Sequence, residues 1–278
     1  MSKKTPEQTL PEEQARKREA LATGGGQGKV AGKAQGGKPR RERASETIPG
    51  TEGEPRSIYA VYQEESPVAV EFRRSYAKLS YHMKQENKHC FLMTSAMEGE
   101  GKSTAAAMMA MTIARYRNSR TLLLDADLRR PRVHEFFELP ARDGFADALL
   151  GERDIIDTIK DTRVENLKVI TCGKRVASPT GLLQADKLSA IISELKFYFD
   201  TVILDSPPVL PVSDAAQIAG ETDGVIFVVM AGVTQRDVVK RAVDILRDSR
   251  IEVLGALVNN ASQVLPYYYS YDYYDYRY

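Results

Sequence analysis

Residues 95–104 read Ser95, Ala96, Met97, Glu98, Gly99, Glu100, Gly101, Lys102, Ser103, Thr104. Residue types in this order can hold phosphate. Gly99 and Gly101 free the backbone to curl its amides around phosphate oxygens, and a helix starting here adds positive potential at its N-terminus. Lys102 brings a cation to the β- and γ-phosphates, and Ser103 brings a hydroxyl to Mg²⁺. The stretch fits G-x-x-x-x-G-K-[ST] at every position but the first, where Ala96 keeps a small residue and gives up some backbone freedom. Contacts to the phosphates are therefore expected from Gly99, Glu100, Gly101, Lys102, Ser103 and Thr104.

Carboxylates follow at two further places. In Leu122, Leu123, Leu124, Asp125, Ala126, Asp127, Leu128, Arg129, alternation points Asp125 and Asp127 to one side. One can hold a metal, directly or through water, while the other accepts a hydroxyl proton. Val202, Ile203, Leu204, Asp205 ends in a third acid, placed to orient metal-bound water. A single aspartate after an apolar run is often only solvated. Three such ends accompanying a phosphate loop imply a site. A possible acceptor group stands at the other end of the chain, where residues 266–278 contain eight of the 14 tyrosines. Pro266 and the interspersed Asp272 and Asp275 argue against a packed strand there, so accessible phenols are expected. A phenol with a pKa near 10 needs a carboxylate to take its proton and a metal to spread phosphoryl charge.

These residues must be positioned by something, and the apolar runs supply it. Strands are expected at 89–94, 121–125, 167–171, 201–205, 224–230 and 253–258, each nearly continuous in apolar residues as strands buried on both faces are. Helical patterns lie between them, for example at 104–116, 182–197 and 235–249, and a charged amphipathic helix at 68–83 precedes the first strand. Strand, helix, strand in repetition implies right-handed crossovers and an α/β fold: a parallel sheet with helices on both faces. Its functional crevice should lie at the carboxyl ends of the strands, which is where the loop and the acids fall.

Composition narrows the rest. The chain has 278 residues, 42% hydrophobic and 28% charged, which excludes collagen-like, mucin-like and wholly disordered classes. Its formal charge of +1 is unevenly spread. Residues 1–45 carry eleven Lys and Arg against five Glu, leaving +6 there and hence −5 on the remainder. Nine of the 19 glycines fall in the first 55 residues, which lack aliphatic periodicity and are expected to form a flexible basic extension. The Ala/Met-rich stretch 105–114 is about half of the roughly 20 residues a bilayer span needs, and no apolar segment of a secretory signal follows Lys3 and Lys4. Cys90 and Cys172 sit singly in apolar runs and read as small buried hydrophobes of a reducing compartment.

From about residue 71 to 278 the sequence resembles the bacterial tyrosine kinases that control capsule and exopolysaccharide export, whose fold is that of P-loop ATPases. The resemblance is carried by the phosphate loop at 96–104, the D-x-D-x-R of Asp125, Asp127 and Arg129, the acid strand end at Asp205 and the terminal tyrosines. It implies ATP and Mg²⁺ as cofactors and Lys102, Asp125 and Asp127 as catalytic residues. Ser103 and Asp125 would contact the metal, and Asp205 would do so through water. The acceptors would be Tyr267, Tyr268, Tyr269, Tyr271, Tyr273, Tyr274, Tyr276 and Tyr278. It also implies that Asp214 and Asn259 lie near the nucleotide, Asn259 toward adenine. Glu71 and Arg74 match the first two positions of the family's E-x-x-R-x-x-R ring-interface helix, whereas Ala77 departs from the third.

The organisation expected on this basis is a basic Gly-rich extension (1–55), a linker and helix (56–87), a P-loop tyrosine kinase domain (88–265) and a tyrosine-rich autophosphorylation tail (266–278). Partners would be further copies of the chain in a homo-oligomer such as a ring, and a separate membrane-spanning polysaccharide chain-length regulator as activator. Eight phosphorylated tyrosines would add about −12 to −16 of charge to the tails, enough to drive neighbouring copies apart. A tyrosine phosphatase is accordingly expected as a third partner, and nucleic acid is not expected as one. The location implied is cytoplasmic, peripheral to the inner face of the membrane through a partner. Two other readings share the phosphate contacts. Septum- and plasmid-positioning ATPase switches carry a signature lysine where this chain has Met97, and a nucleotide-binding adaptor would lack turnover.

Overall fold

In the computed structural model, residues 57–261 apart from 64 and 118 are described. The chain begins with α1 (Ile58–Val61) and α2 (Pro67–Glu86). The start of α2 is set by Pro67 in its first turn and by Ser66, whose hydroxyl accepts from Ala69 N at 3.2 Å. There follow β1 (Cys90–Ser95), α3 (Lys102–Arg117), β2 (Thr121–Asp125), α4 (Val133–Phe136), α5 (Phe145–Leu149), β3 (Lys160–Asp161) and β4 (Leu167–Ile170). The remainder is α6 (Ala185–Tyr198), β5 (Thr201–Asp205), α7 (Asp214–Ala219), β6 (Gly224–Met230), α8 (Arg236–Asp248) and β7 (Val253–Asn259).

Among the described residues the strands form one sheet in the order β3-β4-β2-β5-β1-β6-β7. All neighbours are parallel except β3 and β4. The sheet is therefore mixed, where the apolar runs imply a wholly parallel one. The extra strand is two polar residues long and has no periodicity to announce it. Residues of β1, β2 and β5 are buried throughout, as continuous apolar runs require. The last strand departs from that expectation: Gly255, Ala256 and Val258 are exposed, because among the described residues β7 is an edge with a neighbour on one side only.

One face of the sheet, with Phe91, Met93, Leu123, Ile203 and Val228, packs on α3, and α2 packs in turn on α3. Between two layers α3 can afford little polarity, and eleven of its 16 residues are buried. Ile58, Tyr62, Ala69, Tyr76 and Leu79 belong to the same core, so the segment read as a linker and helix is packed structure from residue 58 onward. Helices α6, α7 and α8 cover the other face, giving helices on both sides as expected. Cys90 and Cys172 are buried free thiols, and burial pushes both well above the ordinary thiol range. Among the described residues no helix is long and apolar enough to cross a membrane. The basic extension and the tyrosine tail lie outside the described residues.

Candidate active site

The strand order reverses around β1, with β5 and β2 to one side and β6 and β7 to the other. Such a reversal opens a crevice at the carboxyl ends of the strands. The phosphate loop leaves β1 there and runs into α3, whose first helical residue is Lys102, two residues earlier than its apolar pattern implies. Gly99 and Gly101 have φ of 79° and 86°, the left-handed region that side chains resist. At Gly101 space is also lacking, since a Cβ would come 2.3 Å from Asn259 Nδ2. The alanine in place of the motif's first glycine is fully buried, and its carbonyl accepts from Leu210 N at 3.3 Å.

Two similar strand endings build the acidic side. Thr121–Asp125 and Thr201–Asp205 are adjacent and in register, so Asp125 stands directly beside Asp205. Neither side chain is exposed to solvent. The Asp125 carboxylate accepts from Asp127 N at 3.2 Å and Val133 N at 3.1 Å. Burial, reinforced by the charge of Asp205, nevertheless holds its carboxyl well above the usual carboxylate range. Both oxygens of Asp205 are buried with no hydrogen bond of good geometry among the described residues, although the Ser103 hydroxyl and Ser206 N–H stand near enough to favour its charged form. Burial pushes Asp205 up to about 6 against the pull of Lys102. Beyond the strand end, the Asp127 carboxylate receives Lys102 Nζ at 2.9 Å, Arg129 N at 3.2 Å and Arg130 N at 2.9 Å. Desolvation would lower the Lys102 ammonium, but Asp205 and Asp127 together raise it above the ordinary lysine value. Lys102 Nζ also lies 3.4 Å from Ser103 Oγ.

The site thus assembles Lys102, Ser103, Asp125, Asp127 and Asp205 in one crevice. A buried carboxylate with no hydrogen bond of good geometry, near a helix N-terminal hydroxyl and beside a second buried carboxylate, suits Mg²⁺: a hard cation would satisfy oxygens that the protein leaves poorly paired. The residues present fit that ion. Thr104 follows half-buried on α3.

Two further expected residues bond to the edges of this crevice. Asp214 is almost fully buried and takes Arg129 Nε at 2.7 Å and Thr180 Oγ1 at 2.7 Å. Arg129 Nη2 closes the triangle on Thr180 at 2.9 Å. Asp214 and Arg129 therefore hold the loop at 173–184 against the acidic strand ends. Asn259 directs its amide to Glu100 O at 3.1 Å and accepts from Asn260 N at 2.8 Å, bracing the phosphate loop from the end of β7. On α2, Arg74 pairs with Glu71 at 2.6 Å within the helix, and Ala77 is exposed. The phosphoacceptor tyrosines lie outside the described residues. Nothing local in the sequence marks Thr180, a threonine in an irregular loop, or the partners of the Glu100 side chain.

Comparison with known proteins agrees with this geometry. A family model described as "ParA: NUBPL iron-transfer P-loop NTPase" matches residues 86–270. The tyrosine-protein kinase CpsD of Streptococcus agalactiae is 37% identical over 185 residues, covering 66% of this chain and 79% of that protein. The kinase domain of the Escherichia coli tyrosine kinase ETK superposes with a TM-score of 0.70 at 25% identity, over 75% of this chain and 82% of that one. The septum site-determining protein MinD of Pyrococcus horikoshii, solved with Mg-ADP, shares the fold at a TM-score of 0.56 and 20% identity, over 64% of this chain and 72% of that one. With its phosphate loop, its paired acidic strand ends and these relatives, the chain belongs to the ParA-type P-loop NTPases and to the bacterial tyrosine kinases of the capsule and exopolysaccharide type.

Proposed function

We propose that the protein transfers the γ-phosphoryl group of ATP to tyrosines of its own C-terminal cluster, on a neighbouring copy, and so regulates polysaccharide synthesis or export. The observation that carries this reading is the in-register pair Asp125 and Asp205 beside the Lys102–Asp127 ion pair at the mouth of a phosphate loop. Lys102 pairs with Asp127 at 2.9 Å. A polyphosphate offers the ammonium a denser partner, so binding draws Lys102 off and frees an oxygen of Asp127 toward the crevice. That oxygen can then take the phenolic proton as the tyrosine oxygen bonds to phosphorus and the bond to the β-phosphate oxygen breaks. Ser103, Asp125 and Asp205 would hold Mg²⁺, directly or through water, and the ion when bound spreads charge on the transferring group. The loop amides and Lys102 orient the phosphates.

The same reading names a homo-oligomer as the working state, a separate membrane-spanning regulator as activator and a phosphatase to reset the tail. It places the chain at the inner face of the membrane through that regulator. Met97 in place of a switch lysine speaks against a positioning ATPase. The deciding experiment is phosphotyrosine detection after incubating the purified full chain with Mg²⁺-ATP. Lys102→Met should lower the rate by about 10² to 10³-fold or more. Deleting residues 267–278 should remove most label while nucleotide binding survives. Mixing that tailless chain with Lys102→Met should restore label on the latter. A Lys102→Met chain labelling alone at the original rate would overturn the site assignment, and an unlabelled mixture of folded chains would overturn transfer between copies.

A further inference from the structure

Glu100 sits inside the phosphate loop, the last place where an extra anion helps ATP to bind, and only 2% of its surface is exposed. Among the described residues no ion pair neutralises it. Its carboxylate is instead satisfied by three donors from two places. Met97 N of the loop itself lies at 2.6 Å, Met230 N at 3.3 Å, and the Thr234 hydroxyl also donates to it. Its carbonyl receives the Asn259 amide at 3.1 Å. The groups it joins are tied to each other as well. Ala231 N donates to Asn259 O at 2.9 Å, Asn260 Nδ2 donates to Ala231 O at 3.3 Å, and Thr234 N donates to Met230 O at 3.1 Å. One residue thus fastens the phosphate loop to the turn after β6 and to the end of β7.

The sheet order gives this fastening a direction. Asp125, Asp127 and Asp205 lie on the β5 and β2 side of the loop, whereas the 230–234 turn and Asn259 lie on the β6 and β7 side. A nucleotide that presents its terminal phosphate to the acids sends its nucleoside toward that turn. A buried carboxylate held only by neutral donors is costly, and one next to polyphosphate repels the ligand, so its retention calls for a gain elsewhere. We propose that Glu100 is a positioning residue for the nucleoside end of ATP, acting by holding the Met230–Thr234 turn at a set distance from the phosphate loop. The proposal rests on the ATP reading above and names a residue that serves the nucleoside rather than the phosphates.

The test is calorimetric titration of the full chain with Mg²⁺-ADP and, separately, with Mg²⁺-tripolyphosphate, which has phosphates and no nucleoside. Thr234→Val removes the donor from the turn and leaves the Met97 bond inside the loop intact. It should weaken ADP by about tenfold, the scale of one hydrogen bond to a charged group. Tripolyphosphate should bind as before. Thr234→Ser, which keeps the hydroxyl, should restore ADP binding. Glu100→Gln removes an anion beside the phosphates as well as weakening the bridge, so tripolyphosphate should bind more tightly, and its ADP affinity relative to tripolyphosphate should fall as in Thr234→Val. Combining the two should lower that relative affinity no more than either alone, because both break one bridge. Unchanged ADP affinity in Thr234→Val overturns the proposal, and so does an equal loss for both ligands, which would mean collapse of the loop. A wild-type chain that ignores ADP overturns the nucleotide reading itself and this inference with it.

Discussion

Asp205→Asn should make the nucleotide-free protein more stable while impairing it as an enzyme. Asp205 has no exposed surface and, among the described residues, no hydrogen bond of good geometry, and burial outweighs the nearby Lys102, Ser103 hydroxyl and Ser206 N–H to lift its carboxyl from the ordinary aspartate value of 3.8 to about 6. Its folded pKa is the higher one, so the folded state binds the proton more tightly than the unfolded state does. Stability from this group is complete below about pH 4 and is lost as pH rises through 6. Each pKa unit is worth 1.36 kcal/mol, so an ionised Asp205 costs about 3 kcal/mol above pH 7. About half of that is already spent at pH 5. Asparagine keeps the shape without the charge. Melting of both proteins in EDTA should therefore give the variant a Tm about 6 to 12 °C higher at pH 8, with the gap roughly halved at pH 5. Adding Mg²⁺-ADP should narrow the gap at pH 8, because only the carboxylate gains a ligand. A variant at pH 8 that is no more stable than the parent would refute the reasoning, and it would mean that Asp205 is already paired.

Two further perturbations test the loop and its surroundings. Gly101→Ala forces a side chain into φ of 86° and against the Asn259 amide, so ADP should bind at least tenfold more weakly, whereas Gly99→Ala meets open space and should cost only the backbone strain of about 1–2 kcal/mol; titration of both variants checks the order. Asp214→Ala strands Arg129 and Thr180 and should lower stability by about 2–3 kcal/mol in urea melts, with protease cleavage appearing first in the loop at 173–184.

The parts of the site that could be read in sequence are those whose chemistry is local. Gly99, Gly101, Lys102 and Ser103 lie within five residues of one another, and Asp125 and Asp205 each close an apolar run, so the strand pattern exposes them. What placed the two acids side by side was the register of β2 on β5, which no single strand contains. The partners of Glu100 and Asp214 were illegible for the same reason. Thr234 is 134 residues from Glu100 and Arg129 is 85 from Asp214, and neither pairing leaves a mark on local periodicity. Asn259 is marked near the nucleotide by the family resemblance, whereas its bond to Glu100 O joins residues 159 apart and leaves no local sign. The edge character of β7 stayed hidden because Val253, Leu254, Leu257 and Val258 give it the composition of a central strand.

Layering around α3 has a consequence for how the chain can be cut. The helix is apolar on nearly all sides because the sheet lies beneath it and α2 lies above. A protein trimmed to start at residue 88 would keep every phosphate-binding and acidic residue. It would also lay bare the apolar side of α3 that Tyr62, Tyr76 and their neighbours cover, over a surface that soluble proteins seldom show. Such a fragment should self-associate through that stripe, and clumping seen with it would report on the missing roof rather than on any oligomer the intact enzyme forms.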